Sequence, residues 1–149
     1  MKTTCLFLCF LVMLLAGCGD DAGPDGQSEA LKLRARVAEV NLTRIRDAVV
    51  KYHKQHGEVP GSVTDLKDFG GGESDLEPSE DYSEIGYSFY SVEFDESGKM
   101  TQGWFIATPV ADSGALQVRM DGVSEELDYV PQGEDFGPAP STLPPTNAE

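Results

Sequence analysis

Covalent chemistry by a thiol has few places to occur in this chain. Its cysteines are Cys5, Cys9 and Cys18, and nothing after Cys18 can supply a catalytic thiolate or a thiolate metal ligand. Cys18 follows Leu15-Ala16-Gly17 at the end of an apolar run, Leu6–Ala16, that Lys2 precedes. Metal chemistry has two candidate groups. His53 and His56, spaced i, i+3, could share a ligand face on a helix, but no third ligand accompanies them. Two histidines near a helix C-terminus also suit its dipole and the solvent. Asp75, Glu77, Glu80, Asp81 and Glu84 could offer oxygen ligands to calcium, but their spacing matches no known calcium loop. Gly70-Gly71-Gly72 is not a phosphate loop: no Lys-Ser or Lys-Thr follows it and no strand precedes it. There is no Gly-x-Ser-x-Gly elbow and no dinucleotide fingerprint. The expectation is a non-enzymatic chain with no catalytic, metal or cofactor residues.

The start of the chain carries a different chemistry. A short positive start, an apolar core too short for the roughly 30 Å of a bilayer and small residues before a cysteine make a secretory signal peptide. Leu15-Ala16-Gly17-Cys18 resembles the lipobox of bacterial lipoproteins. That resemblance implies cleavage after Gly17, a thioether diacylglycerol on Cys18 and acylation of the new amino terminus, palmitate being the usual acyl type. Two or more acyl chains hold a protein stably on a membrane where one does not. The resemblance thus makes Cys18 the expected lipidation site and residues 1–17 the expected signal peptide. Residues 18–27 are polar and rich in Gly, Asp and Pro, so they read as a flexible tether. Such a segment holds a domain on the order of 15–20 Å from the bilayer. The folded part then has no cysteine and depends on packing for its stability. Gly19 rather than Asp after Cys18 favours the outer membrane over the inner in a two-membrane cell, facing the periplasm or the exterior.

The formal net charge is −15, and loss of the leader removes Lys2 as well. So acidic a chain is a poor ligand for nucleic acid, where cations neutralising phosphates supply the affinity. The charge is unevenly placed. Lys32, Arg34, Arg36, Arg44, Arg46, Lys51 and Lys54 crowd one segment, whereas from Asp68 onward only Lys99 and Arg119 oppose a long series of acids. This is either a pair of solvated faces or a basic face that meets an acidic partner or lipid headgroups.

That basic segment must position everything else. Leu31, Ala35, Ala38, Leu42, Ile45, Val49 and Tyr52 follow a 4,3,4,3 spacing, the seam of an amphipathic helix. Ser28 suits its N-cap. Gly57 suits the left-handed residue past its end, and Pro60 forbids resumption. The helix predicted is roughly 26 residues, or about 39 Å. Ser62 and Asp65 form a capping box for a short turn. Four strands follow: Gly86–Phe94, Met100–Pro109, Ala115–Met120 and Val123–Val130. Asp95–Gly98 and Asp112–Gly114 turn the chain, and Asp121-Gly122 suits a type I′ hairpin. The fold class is α+β, a long N-terminal helix packed on a small antiparallel β-meander spanning residues 28–130. The polar, Pro-rich residues 131–149 read as a disordered tail.

A long helix ending in Tyr52 and Gly57, then Val59-Pro60, Leu66 and a meander, resembles the globular half of type IV pilins and type II secretion pseudopilins. Ala48 and Val49 carry the resemblance on the helix. Gly103-Trp104-Phe105-Ile106-Ala107-Thr108-Pro109, Gly114-Ala115-Leu116 and Asp121-Gly122 carry it on the sheet. It implies a pilin-like fold and a link to pilus or secretion machinery. Pilins have their apolar helix after the cleavage site, whereas here the apolar run precedes Cys18, so the fold is carried over without packing into a pilus shaft. A strand of about 17–20 Å cannot cover a helix of about 39 Å. Leu31, Leu33, Ala35, Val37 and Ala38 are therefore expected to project beyond the sheet, either as a partner surface for another copy or for a membrane or envelope protein, or as an overhang that frays or is covered by the tail. The expected function is an envelope interaction or assembly component anchored by lipid at Cys18. The alternative is a lipid-anchored ligand- or calcium-binding module unrelated to pili.

Overall fold

The computed structural model describes residues 24–137, so the expected signal peptide and the start of the expected tether, Cys18 included, lie outside the described residues. Two helices and a four-stranded antiparallel sheet make an α+β fold. Helix α1 spans Pro24–Arg34 and α2 spans Arg36–His56. The helical region begins at Pro24, four residues ahead of the expected cap Ser28, and takes in the end of the expected tether. Proline is tolerated in a first helical turn, where its missing N–H would have had no partner. Ala35 separates the helices. Its φ and ψ are −74° and −9°. Its N–H is shared between the carbonyls of Leu31 at 3.2 Å and Lys32 at 3.1 Å. One tightened turn therefore interrupts the ladder without breaking it. At the other end Gly57 adopts φ 75° and its N–H reaches the His53 carbonyl at 2.7 Å, the left-handed cap expected there.

Strands β1 (Tyr87–Phe94), β2 (Met100–Ala107), β3 (Leu116–Asp121) and β4 (Leu127–Pro131) pair in sequential order. One core joins α2 to the sheet. Leu42, Ile45, Ala48 and Val49 meet Phe105, Ala107, Val118 and Met120, all essentially without solvent exposure. Strict alternation along β1 would put Phe89 and Val92 on opposite faces. A register shift between Tyr90 and Glu93 and a left-handed Ser91 (φ 51°) make a β-bulge. The bulge inserts one residue and returns Val92 and Phe94 to the core side, where Phe89 already packs.

Two glycines serve close approach. Gly122 has no left-handed φ, and a Cβ on it would lie 2.6 Å from Phe105 Cε2 and 2.7 Å from Met100 Sδ. The residues after Asp121 therefore do not form the type I′ hairpin expected. Asp121 Oδ1 accepts from the N–H groups of Val123 (2.7 Å) and Ser124 (3.1 Å), and Glu125 takes the positive φ, 61°. The side-chain cap opens the turn into a longer loop, and β4 starts at Leu127 rather than Val123. Gly71 lets the loop after the short Val63–Leu66 turn lie on α2, because a Cβ there would sit 2.4 Å from Ala48 Cβ.

The second face of the sheet is covered over Trp104 and Arg119. Arg119, 5% exposed, stacks between Trp104 at 4.8 Å and Phe136 at 4.7 Å. It donates to Asp128 at 2.7 Å and to the Gly137 carbonyl at 3.2 Å. Gln132 Nε2 reaches the carbonyls of Pro109 and Val110, each at 3.2 Å. Residues 132–137 thus belong to the folded unit, although their composition reads as tail. An indole and a guanidinium on one sheet face need a cover that matches both, and Phe136 supplies it.

Gly71→Ala keeps the backbone conformation accessible but overpacks the Ala48 contact. The expected loss is about 1–3 kcal/mol, read as a lower urea midpoint with unchanged slope. An unchanged midpoint would show that the loop does not rest on α2.

Candidate interaction surface

The helices carry most of the chain's basic side chains, and these meet acids of the chain's own loops. Arg34 grips Asp81 with its guanidinium fork and donates to the Ser113 carbonyl at 2.9 Å. The Asp81 carboxylate, by hydrogen bond and charge, pushes the Arg34 pKa up. Arg44 pairs with Glu77 at 2.8 Å and donates to the Asp75 carbonyl at 3.0 Å. Arg46 reaches Glu125 at 3.2 Å and the Gly122 carbonyl at 3.0 Å. Arg34 and Arg44 thus both hold the segment 73–84, Arg34 also reaches the turn at Ser113, and Arg46 holds the loop after Asp121. Pairs as exposed as Arg44–Glu77 and Arg46–Glu125 contribute only ~0.2–1 kcal/mol each, so they serve mainly to place the loops. The acidic partner of the basic helix face is, in large part, this chain itself.

The segment 73–84 is held the same way. Asn41, wholly buried, donates to the Glu77 carbonyl and to the Tyr87 hydroxyl, both at 2.9 Å. Its Oδ1 accepts from the Glu77 N–H at 2.7 Å. Asp75 accepts from the Gly72 N–H at 3.2 Å. Glu77, Asp75 and Asp81 are therefore engaged with protein groups, and among the described residues no group of three or more His, Cys, Asp or Glu side chains could hold a metal ion. His53 and His56 do not converge either. His53 stacks on Phe94 at 3.8 Å, with its Nδ1 buried and unpartnered, while His56 lies 4.5 Å from Tyr52. No described helix is long and apolar enough to cross a membrane.

The expected partner surface divides in two. Ala35 and Ala38 are completely buried, so they belong to the core and not to an overhang. The reason is physical: the segment 73–84, ahead of β1, brings Leu76 and Tyr82 into the same core, so the protected length of the helix exceeds that of a strand. Leu31 is half-buried beside them. Leu33, 70% exposed, and the half-buried Val37 lie on another stripe, which Val40, 42% exposed, and the exposed Ala30 extend. The spacing from Ala30 through Val40 is 3,4,3, a second helical seam offset from the buried one. Sequence reading pooled the two seams because both repeat every seven residues in the same segment.

A cleft of about 450 Å³ opens beside this stripe, between α1 and β4. Tyr129 forms its floor, donating to Glu39 Oε1 at 2.8 Å, with the Lys32 ammonium 5.7 Å from the ring centroid. Burial, then the hydrogen bond and charge of Glu39, push the Tyr129 pKa up to about 12.

No protein-family model, no curated protein and no solved structure matches this chain.

Two outcomes follow from these contacts. Asn41→Ala leaves the Glu77 amide and carbonyl and the Tyr87 hydroxyl without partners, and the expected loss is about 1–3 kcal/mol. Proteolysis should then cut first within 73–84; an unchanged cleavage pattern would count against the anchor. Tyr129 ionises near 10 when unfolded, so the unfolded chain releases that proton first. Its contribution is complete below pH ~10 and falls away as pH rises toward about 12. Base titration of Tyr129→Phe should show a shallower fall in that window than wild type, and superimposable curves would refute the coupling.

Proposed function

We propose that this chain is a lipid-anchored cell-envelope protein whose domain serves interaction or assembly rather than catalysis. The reading is supported by its α+β plan, a helix on a four-stranded meander, together with the sequence resemblance to the globular half of type IV pilins and type II secretion pseudopilins. The observation that carries the reading is the outward apolar seam Ala30, Leu33, Val37 and Val40 at the N-terminal end of the helical region. That end lies nearest the Leu15-Ala16-Gly17-Cys18 sequence, which resembles a lipobox. An exposed apolar stripe beside a membrane tether suits a protein that docks other envelope proteins. The absence of an apolar helix after the cleavage site separates it from shaft pilins, so its place is beside such machinery, not within a shaft. Its localisation is the bacterial cell envelope, with the outer membrane favoured. The acid cluster at 73–84 favours the calcium module less, since Arg34 already pairs with Asp81, Arg44 with Glu77, and Asp75 accepts from the Gly72 N–H.

Intact mass and membrane fractionation of wild type beside Cys18→Ser test the anchor. Wild type should carry acyl groups on Cys18 and sediment with membranes, while the variant stays unprocessed or becomes soluble. A wild type that is cleaved, unacylated and soluble would overturn the lipoprotein reading.

A further inference from the structure

The seam has the geometry of a helix partner, and we infer that this partner is a second copy of the chain, docked in parallel on the same membrane. The inference rests on the lipid-anchored reading and names its partner. Four positions at 3,4,3 spacing present knobs to a facing helix. The seam is bounded: one step further along the same stripe stand Arg44, Asp47 and Lys51, none of them apolar. It therefore covers about three turns, or ~15 Å of helix.

Charge selects both partner and direction. With two copies aligned in parallel, flanking Glu29 of one faces Arg34 of the other, and opposite charges at such positions stabilise the pair. Arg34 keeps 43% of its side chain exposed despite its grip on Asp81. An antiparallel pair would instead bring Arg36 against Arg36, with 72% of that side chain exposed, and like charges there repel. Parallel is also the direction that two anchors in one leaflet impose. Only five residues, 19–23, separate Cys18 from Pro24, six Cα steps in all. Even fully extended they reach ~20 Å, so both seams would be held at the same height.

Size sets the condition. A seam of three turns buries well under the ~800 Å² per partner of a stable soluble dimer. The pair should form where tethering to a surface raises the effective concentration and should dissolve when the anchors are diluted.

The test places single thiols on the full chain. Processing removes Cys5 and Cys9, and a thioether blocks Cys18, so Leu33→Cys or Val40→Cys supplies the only free thiol. Val59→Cys, exposed beyond the far end of α2, is the control. A short bis-maleimide added to membranes should give a dimer of two copies from Leu33→Cys and Val40→Cys but not from Val59→Cys. Leu33→Glu in the Val40→Cys background should abolish it, and dilution into detergent micelles should lose it. An acylated, membrane-bound Leu33→Cys protein that gives no dimer, or gives an adduct with a different protein, would overturn the inference and leave the anchor standing. Equal crosslinking after detergent dilution would overturn the dependence on tethering. An unacylated protein, seen by mass, would remove the anchor and the inference with it.

Discussion

Asn41 sits wholly buried in the middle of the apolar seam of α2, where a polar side chain is unfavourable unless its bonds are made. All of its amide's reach is used: the Glu77 amide and carbonyl and the Tyr87 hydroxyl. The segment 73–84 sets Leu76 and Tyr82 into the core, and between those two anchors this amide fixes Glu77. Once Glu77 is fixed, Arg44 can meet its carboxylate and Arg34 can meet Asp81 four residues on. Tyr82 can then turn its hydroxyl to the Leu116 carbonyl at 2.6 Å, reaching the start of β3. Burial and the neighbouring carboxylate raise the pKa of that phenol well above its ordinary value, which keeps it a donor. Helix, loop and sheet are thus joined in one polar circuit beside the apolar core.

The same logic explains the charge pattern. A chain of net −15 with its cations crowded on helices resembles a binder of acidic partners. The folded arrangement shows a different use, because Arg34, Arg44 and Arg46 each fasten a loop. Arg119 does the equivalent on the far side of the sheet, with Trp104 and Phe136 as walls. Guanidinium suits this work better than ammonium, since its planar fork can hold a carboxylate and a carbonyl at once while stacking on rings. The lysines, by contrast, stay mostly on the exposed side: Lys51 and Lys54 face solvent.

Much of the fold was legible because it rested on local rules. The seam of Leu42, Ile45 and Val49, the cap at Gly57, the Asp65 contact to the Ser62 N–H at 3.0 Å and the sequential strands all follow from periodicity and turn chemistry. What was not legible depended on contacts distant in sequence. Gly122 signalled a hairpin by its type but is glycine because Phe105 and Met100 press on it. Ser91 gave no sign of a bulge. Phe136, in a Pro-rich stretch, gave no sign that it would close over Arg119. Ala35 and Ala38 were expected to project beyond the sheet, and the cover that Leu76 and Tyr82 bring from the segment 73–84 had no local sequence signal.

The two seams of the helical region show why an exposed apolar stripe can hide in a sequence. Leu31, Ala35 and Ala38 repeat with the same heptad as Ala30, Leu33 and Val37, one residue or two apart. Summed over the helix they look like a single broad apolar face. Only the position of the sheet separates them, by burying the first set and leaving the second to solvent. A helix with apolar residues on opposite sides has more to bury than its own domain can cover. Its own α2 stretch beyond Val40 carries Arg44 and Arg46 outside instead, paired with loops. The excess apolar surface is therefore confined to the end nearest Cys18. A surface so small is harmless to a diluted protein, because its burial cannot offset the entropy of association. It acquires weight only where something else has already restricted the chains to two dimensions, and a lipid on Cys18 would impose that restriction.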